Sequence, residues 1–145
     1  MLLEIELIPK TSFFNNVRSL VSESEWDSIR MNCYKAAKFK CEICDGVGPK
    51  WPVECHEAWE YKKGTQRLIR LIALCPSCHE VKHLGLARFK GRYEEAIKHL
   101  QKVNKISYRE AIEAEDDAFS TWRRRNKTNW KLDISFLTTT NPQGI

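Results

Sequence analysis

Two cysteine pairs, Cys41-Glu42-Ile43-Cys44 and Cys75-Pro76-Ser77-Cys78, flank a stretch of thirty residues. Each Cys-x-x-Cys turns back on itself and offers two sulfurs to one ion, so the two pairs together supply the four ligands of a tetrahedral zinc site. Four thiolates fill that sphere and leave no position for substrate or water. Cys41, Cys44, Cys75 and Cys78 are therefore read as a structural zinc clamp. Cys55-His56 lies between the pairs, and His79 and His83 follow the second pair at once. The spacing His79-x-x-x-His83 sets two imidazoles one turn apart on one side of a helix, where both can hold a single ion. An isolated pair at this spacing is more commonly plain surface. This one begins directly after a metal knuckle and faces His56, and that singles it out. The fourth histidine, His99, sits between Lys98 and Lys102 and reads as solvated.

The elements that must position these residues are legible in outline. Leu2 to Ile8 alternates apolar and acidic residues and reads as a short strand or extended arm closed by Pro9. Ser22 and Glu25 form a capping box for a helix from about Glu23 to Lys38, with Trp26, Ile29, Arg30, Cys33 and Ala37 at helical spacing. Cys33 falls on that apolar stripe and reads as a core residue. Pro52 to His56 looks extended and Leu68 to Leu74 is a strand, so the two are expected to pair as a hairpin with residues 60–67 as a polar loop. Ser77 could cap a short helix through His83 that ends near Gly85. A helix over Tyr93–Asn104 buries Ala96, Ile97 and Leu100. Another opens on the capping box Ser107/Glu110, runs to about Arg125 and carries Tyr108, Ala111, Ile112, Ala118, Phe119 and Trp122 on one face. Lys131 to Leu137 reads as a short last strand.

A chain of 145 residues with 42% hydrophobic content holds one small core, which a bound metal would help to fold. Lys and Arg number 24 against 19 Asp and Glu; the net charge of +5 suits a polyanionic partner without requiring one. The first residues, Met1-Leu2-Leu3-Glu4-Ile5-Glu6, become charged at once and no apolar run reaches membrane length, so a cytoplasmic protein with no membrane partner is expected. Six cysteines in such a chain favour metal over disulfides.

Cys-x-x-Cys, then Glu54-Cys55-His56-Glu57, then Leu74-Cys75-x-x-Cys78-His79-x-x-x-His83, resembles the HNH endonucleases with a ββα-metal fold and a zinc-knuckle clamp, over about residues 41–85. The segments Val81 to Ala87 and Trp130 to Ser135 look like those of small bacterial and phage proteins usually called HNH nucleases. The resemblance implies an α+β fold: an N-terminal strand and helix (1–40), an HNH-like core clamped by a four-cysteine zinc site (41–88), and C-terminal helices and tail (89–145), in one compact domain. It implies a metal-dependent endonuclease hydrolysing phosphodiester bonds in DNA, with RNA as an alternative substrate. His56 would be the general base, and His79 and His83 would be ligands of a second, catalytic ion (Mg²⁺, Mn²⁺, Ni²⁺ or Zn²⁺). Cys55 stands where the family has a His or Asp ligand, and Arg70 where it has Asn. A thiolate ligand would favour zinc or another soft metal over magnesium, unless Glu54 or Glu57 supplies an oxygen instead. Strand alternation places Cys55 and His56 on opposite faces unless a bulge intervenes. Arg70 can donate to the carbonyls the Asn would hold, or grip a phosphate, but cannot accept.

Lys62, Lys63, Arg67 and Arg70 around the hairpin, and Lys82 and Arg88 after the knuckle, are the candidate nucleic-acid contacts. Arg123-Arg124-Arg125 complements a helix end, and Trp59 reads as packing. Two rival classes remain: a zinc-stabilised nucleic-acid-binding module without catalysis, and a protein-interaction domain using the C-terminal helices, whose apolar faces also permit a homodimer. A thiol enzyme built on Cys55 and His56 lacks a visible third orienting group.

Overall fold

The computed structural model describes residues 1–13 and 15–138. After an extended arm and a 3-10 turn at Lys10–Ser12, helix α1 (Val17–Leu20) and helix α2 (Glu23–Ala36) precede the cysteine-bearing loop. Strands β1 (Glu54–Lys62) and β2 (Thr65–Leu74) form the hairpin. Helices α3 (Pro76–Lys82), α4 (Leu84–Phe89), α5 (Tyr93–Asn104) and α6 (Tyr108–Arg125) follow, then strand β3 (Lys131–Asp133). This is an α+β fold with a three-stranded sheet in the order β1-β2-β3, in which β2 and β3 run parallel.

The capping boxes set the helix starts. Ser22 accepts from the Glu25 N–H and Ser107 from the Glu110 N–H, each Glu reaching back to the cap. A third box, Asn16 with Ser19, starts α1. The α2 helix ends at Ala36, short of Lys38, because Lys38 and Phe39 adopt φ of 55° and 58°, the left-handed region that closes a helix.

The hairpin is longer than its apolar residues suggested. Residues 60–67 are not a loop: they extend both strands to a two-residue turn at Lys63-Gly64, with φ of 50° and 78°. Polar side chains occupy these positions because that end of the sheet has solvent to face. Trp59 pairs with Leu68 and Ala58 with Arg70, which leaves Ile69 as the extra residue of a bulge. The bulge shifts the alternation, so Leu68 as well as Leu71 and Ala73 joins Cys33 and Val53 under α2. Ala58, Ile72 and Leu74 face the other way and pack with Val81, Leu84, Ile97 and Leu100. The sheet therefore separates α2 from a layer containing α3 and α5.

Two expectations at the ends of the chain are corrected. The strand read over Lys131 to Leu137 stops at Asp133 and gives way to a 3-10 turn at Ser135–Thr138, where the Ser135 N–H binds the Asp133 carboxylate. On α6, Tyr108 is exposed, while Glu115 is buried beside Ala111, where it accepts from Arg88 (2.6 Å) and the Tyr93 hydroxyl (2.6 Å).

Gly48 packs the cysteine loop against Pro76 at the start of α3. A Cβ there would stand against the Trp51 carbonyl and 2.7 Å from Pro76 Cδ. Backbone cannot yield as a flexible side chain would, so Gly48→Ala should destabilise the protein by roughly 1–3 kcal/mol. Chemical denaturation of wild type and variant at equal metal loading checks this.

Candidate metal centres

The four cysteines of the two pairs converge, their sulfurs all within 4.8 Å of one another, and could bind one metal ion. Local geometry brings each pair to that point. The Cys44 N–H points at Cys41 Sγ (3.5 Å) and the Cys78 N–H at Cys75 Sγ (3.4 Å), so the second bond doubles as the N-cap of α3, with Pro76 at its first position. Cys75, not Ser77, caps this helix. Hydrogen bonds from Cys75 and Cys78 pull the Cys41 thiol far below its ordinary pKa, so the cluster favours a thiolate. His99 belongs here too. It is not solvated: half-buried on α5, it sets Nε2 3.1 Å from Cys78 Sγ. Its position three residues after Ala96 and beside Leu100, at the margin of the buried stripe, was the available signal.

A second cluster lies where the start of β1 meets α3. Nitrogens of His56, His79 and His83 all come within 4.8 Å of one another. Ring centroids are 5.3 Å apart for His56–His79, 5.4 Å for His56–His83 and 4.8 Å for His79–His83. Zinc bonds of about 2 Å would draw such nitrogens to within about 3.5 Å, a small closure for three imidazoles. His56 comes from β1 opposite Ile72, and the other two come from the C-terminal part of α3 and its cap.

Two carboxylates back these rings. Glu54 Oε1 lies 2.9 Å from His79 Nδ1, while its other oxygen accepts from Trp51 Nε1. Glu6, from the N-terminal arm, lies 2.7 Å from His56 Nε2 and accepts from Lys82 Nζ at 2.9 Å. Burial opposes ionisation of Glu6, yet His56 and Lys82 hold its carboxyl down at about 2. The hydrogen bond to His79 likewise lowers Glu54. Sequence reasoning missed Glu6, since nothing local ties an acid in the arm to a histidine fifty positions on.

Comparison of the chain with family models, curated proteins and solved structures gives no match. Geometry therefore has to carry the functional argument.

Several candidate residues are placed elsewhere. Cys55 is not with the imidazoles. Alternation holds at this end of β1, since the bulge comes later, and Cys55 packs beside Cys33 among the residues under α2. Glu57 is engaged by the Val17 N–H (2.7 Å), and burial raises its carboxyl. Arg70 pairs with Glu42 of the cysteine loop, whose other oxygen accepts from the Ala73 N–H at 2.7 Å. Lys82 is only 3% exposed and is locked to Glu6, which removes it as a phosphate contact. Arg88 pairs with Glu115 and lies over the Tyr93 ring, and Arg67 pairs with Glu60. Lys62 and Lys63 occupy the hairpin's far end, about 20 Å along the strand from His56 at roughly 3.3 Å per residue.

Next to the imidazoles runs a groove of about 860 Å³, with apolar walls that include Leu7, Leu86, Phe89, Phe119 and Trp122, and with Lys10 as its basic residue. No helix among the described residues is long and apolar enough to cross a membrane.

Burial, with the neighbouring His79 and His56 as further causes, lowers His83 from 6.5 to about 3; burial also lowers His56 against the pull of Glu6. The folded state thus binds its proton less readily than the unfolded chain. His83 stabilises the fold fully above about 6.5, and that stabilisation drains away as pH falls toward 3. Without added divalent metal, the melting temperature of wild type should fall more steeply between about pH 7 and pH 5 than that of His83→Asn. Equal slopes would contradict a buried neutral imidazole.

Proposed function

We propose that this chain is a metal-dependent endonuclease of HNH type that hydrolyses phosphodiester bonds in DNA. The observation that carries the reading is the meeting of His56, His79 and His83 between a two-stranded hairpin and the helix that follows it, held beside a four-cysteine clamp. That meeting supports the ββα-metal arrangement the sequence resemblance implies. The clamp is assigned zinc, which four thiolates favour.

The imidazole cluster fits a second ion on its own chemistry. Its donors are imidazole nitrogens gathered at one point; burial disfavours protonation of His56 and His83, and His56 Nδ1 is buried without a hydrogen-bond partner among the described residues. An all-nitrogen set suits Zn²⁺, Ni²⁺ or Mn²⁺ better than Mg²⁺, which prefers oxygen. A divalent ion there supplies Lewis acidity, drawing charge from a phosphate oxygen and making a water more acidic. The protein's own part is to bury His56 and His83, which disfavours their protonation, and to fix His79 through Glu54 and His56 through Glu6. Lys10 in the groove lining offers one positive charge, beside the acidic Glu6 and Glu57 of the same lining.

One set of observations favours the second reading, a binding module that does not cut. Arg70 stands where the motif has Asn and is engaged by Glu42, so the hydrogen bonds the Asn would make are altered.

Purified protein incubated with plasmid and single-stranded DNA across Mg²⁺, Mn²⁺, Ni²⁺ and Zn²⁺ distinguishes the two. Cleavage is expected with a transition metal, reduced at least about 100-fold in His79→Ala and His83→Ala, in line with loss of the ion's contribution. Undiminished cleavage by those variants, or tight binding with no cleavage under any metal, rejects the nuclease.

A further inference from the structure

A general base must present a free nitrogen to the water it deprotonates, and that is the role the resemblance assigns to His56. In the fold only Nδ1 is left for that role, in a ring that solvent scarcely reaches and that two further imidazoles border. The residue is 2% exposed, and its Nε2 is taken by Glu6 at 2.7 Å. The other nitrogen, Nδ1, is buried with no hydrogen-bond partner among the described residues. Glu6 also receives the Lys82 ammonium at 2.9 Å, so it is an ionised, acceptor-only carboxylate. The proton between Glu6 and His56 must then sit on Nε2, which leaves the Nδ1 lone pair bare. A bare lone pair in a buried position is costly unless something electron-poor meets it. His79 repeats the pattern in the opposite sense, with Nδ1 on Glu54 at 2.9 Å and Nε2 left over.

We propose that His56 is a third metal ligand through Nδ1, oriented by Glu6 of the N-terminal arm, and not the general base. The proposal rests on reading the imidazole cluster as a metal site, and it departs from the motif the chain resembles. A carboxylate on the far nitrogen of a ligating imidazole fixes the tautomer, aims the ring and raises its basicity. Glu6 does this for His56 and Glu54 for His79. The arm is thereby part of the metal centre. It is seated by the Glu6 N–H on the Lys82 carbonyl (3.0 Å) and by Leu3 exchanging two hydrogen bonds with the Asn104 side chain (3.0 and 2.8 Å).

The test is metal affinity on the intact chain with the four-cysteine site already filled. Zn²⁺ and Co²⁺ titrations of wild type should show a second ion per chain. Glu6→Gln should weaken that second ion 10–100-fold, the usual effect of losing such a partner. His56→Phe should weaken it further, with the first ion unchanged in both. Because Glu6→Gln strands the Lys82 charge, the double variant Glu6→Gln/Lys82→Met should show the same loss. Ring ¹⁵N NMR of wild-type protein gives a readout that needs no variant: the second equivalent of Zn²⁺ should shift His56 Nδ1 while Nε2 stays protonated. Wild-type affinity in both Glu6→Gln and His56→Phe, or an unshifted His56 Nδ1 when the second ion binds, overturns the ligand role and restores the base. Uptake of only one ion by wild type overturns it differently, by removing the metal site itself.

Discussion

The thiol of Cys75 accepts the Cys78 N–H at the first turn of α3 and stands 3.6 Å from Cys44 Sγ, so the start of that helix and the cysteine loop share one point. α3 has only seven residues, too few for a stable isolated helix. Its direction is set from outside. Pro76 fixes the first turn, the sulfur cluster pins it to the loop, and Val81 seats its other side in the core. With the axis held in this way, His79 and His83 have one place to point, toward β1. Loss of convergence among the sulfurs would free the helix and scatter the imidazoles.

Lys82, Glu6 and His56 form a chain of contacts beside the imidazoles, its two ends buried and its middle partly open to solvent. The Lys82 ammonium is costly to desolvate and is paired with Glu6, whose other oxygen holds His56. Removing one member leaves an uncompensated charge or an orphaned nitrogen, so the three residues act as a unit and should not be apportioned singly. A hydrophobic trio of equal volume would fold at least as well. These contacts therefore set the geometry of His56 more than they contribute to stability.

What the sequence revealed was whatever acts over short range. Ser22 with Glu25, Ser107 with Glu110, the two cysteine pairs and the stripe Ala96, Ile97, Leu100 are signals written within a few residues, and each appears in the fold. The strict alternation at Cys55-His56 was also readable, and it sends the thiol to α2 and the imidazole to α3. Long-range pairings were not readable. Lys82 looks like an exposed cation until Glu6 arrives from seventy-six residues away, and Arg70 until Glu42 does. His99 looks solvated beside two lysines because its partner sulfur lies on another helix. The hairpin's distal half escaped for a different reason: a sheet end that faces water carries the polar composition of a loop, and only the positive φ at Lys63 and Gly64 marks where the chain turns.

The arm shows how much a segment without regular structure can determine. It crosses α3 at Lys82 and α5 at Asn104, and Trp122 of α6 donates to its Ile8 carbonyl at 3.0 Å. Three helices far from the arm in sequence thus fix the height at which Glu6 meets His56. Leu7 and Ile8 of the same segment line the groove beside the imidazoles, so the stretch of chain that meets one ring also shapes the space next to it. A displacement of the arm would move both together. The geometry of the imidazole cluster is consequently a property of the whole domain, and the residues that most resemble a known motif are only its local part.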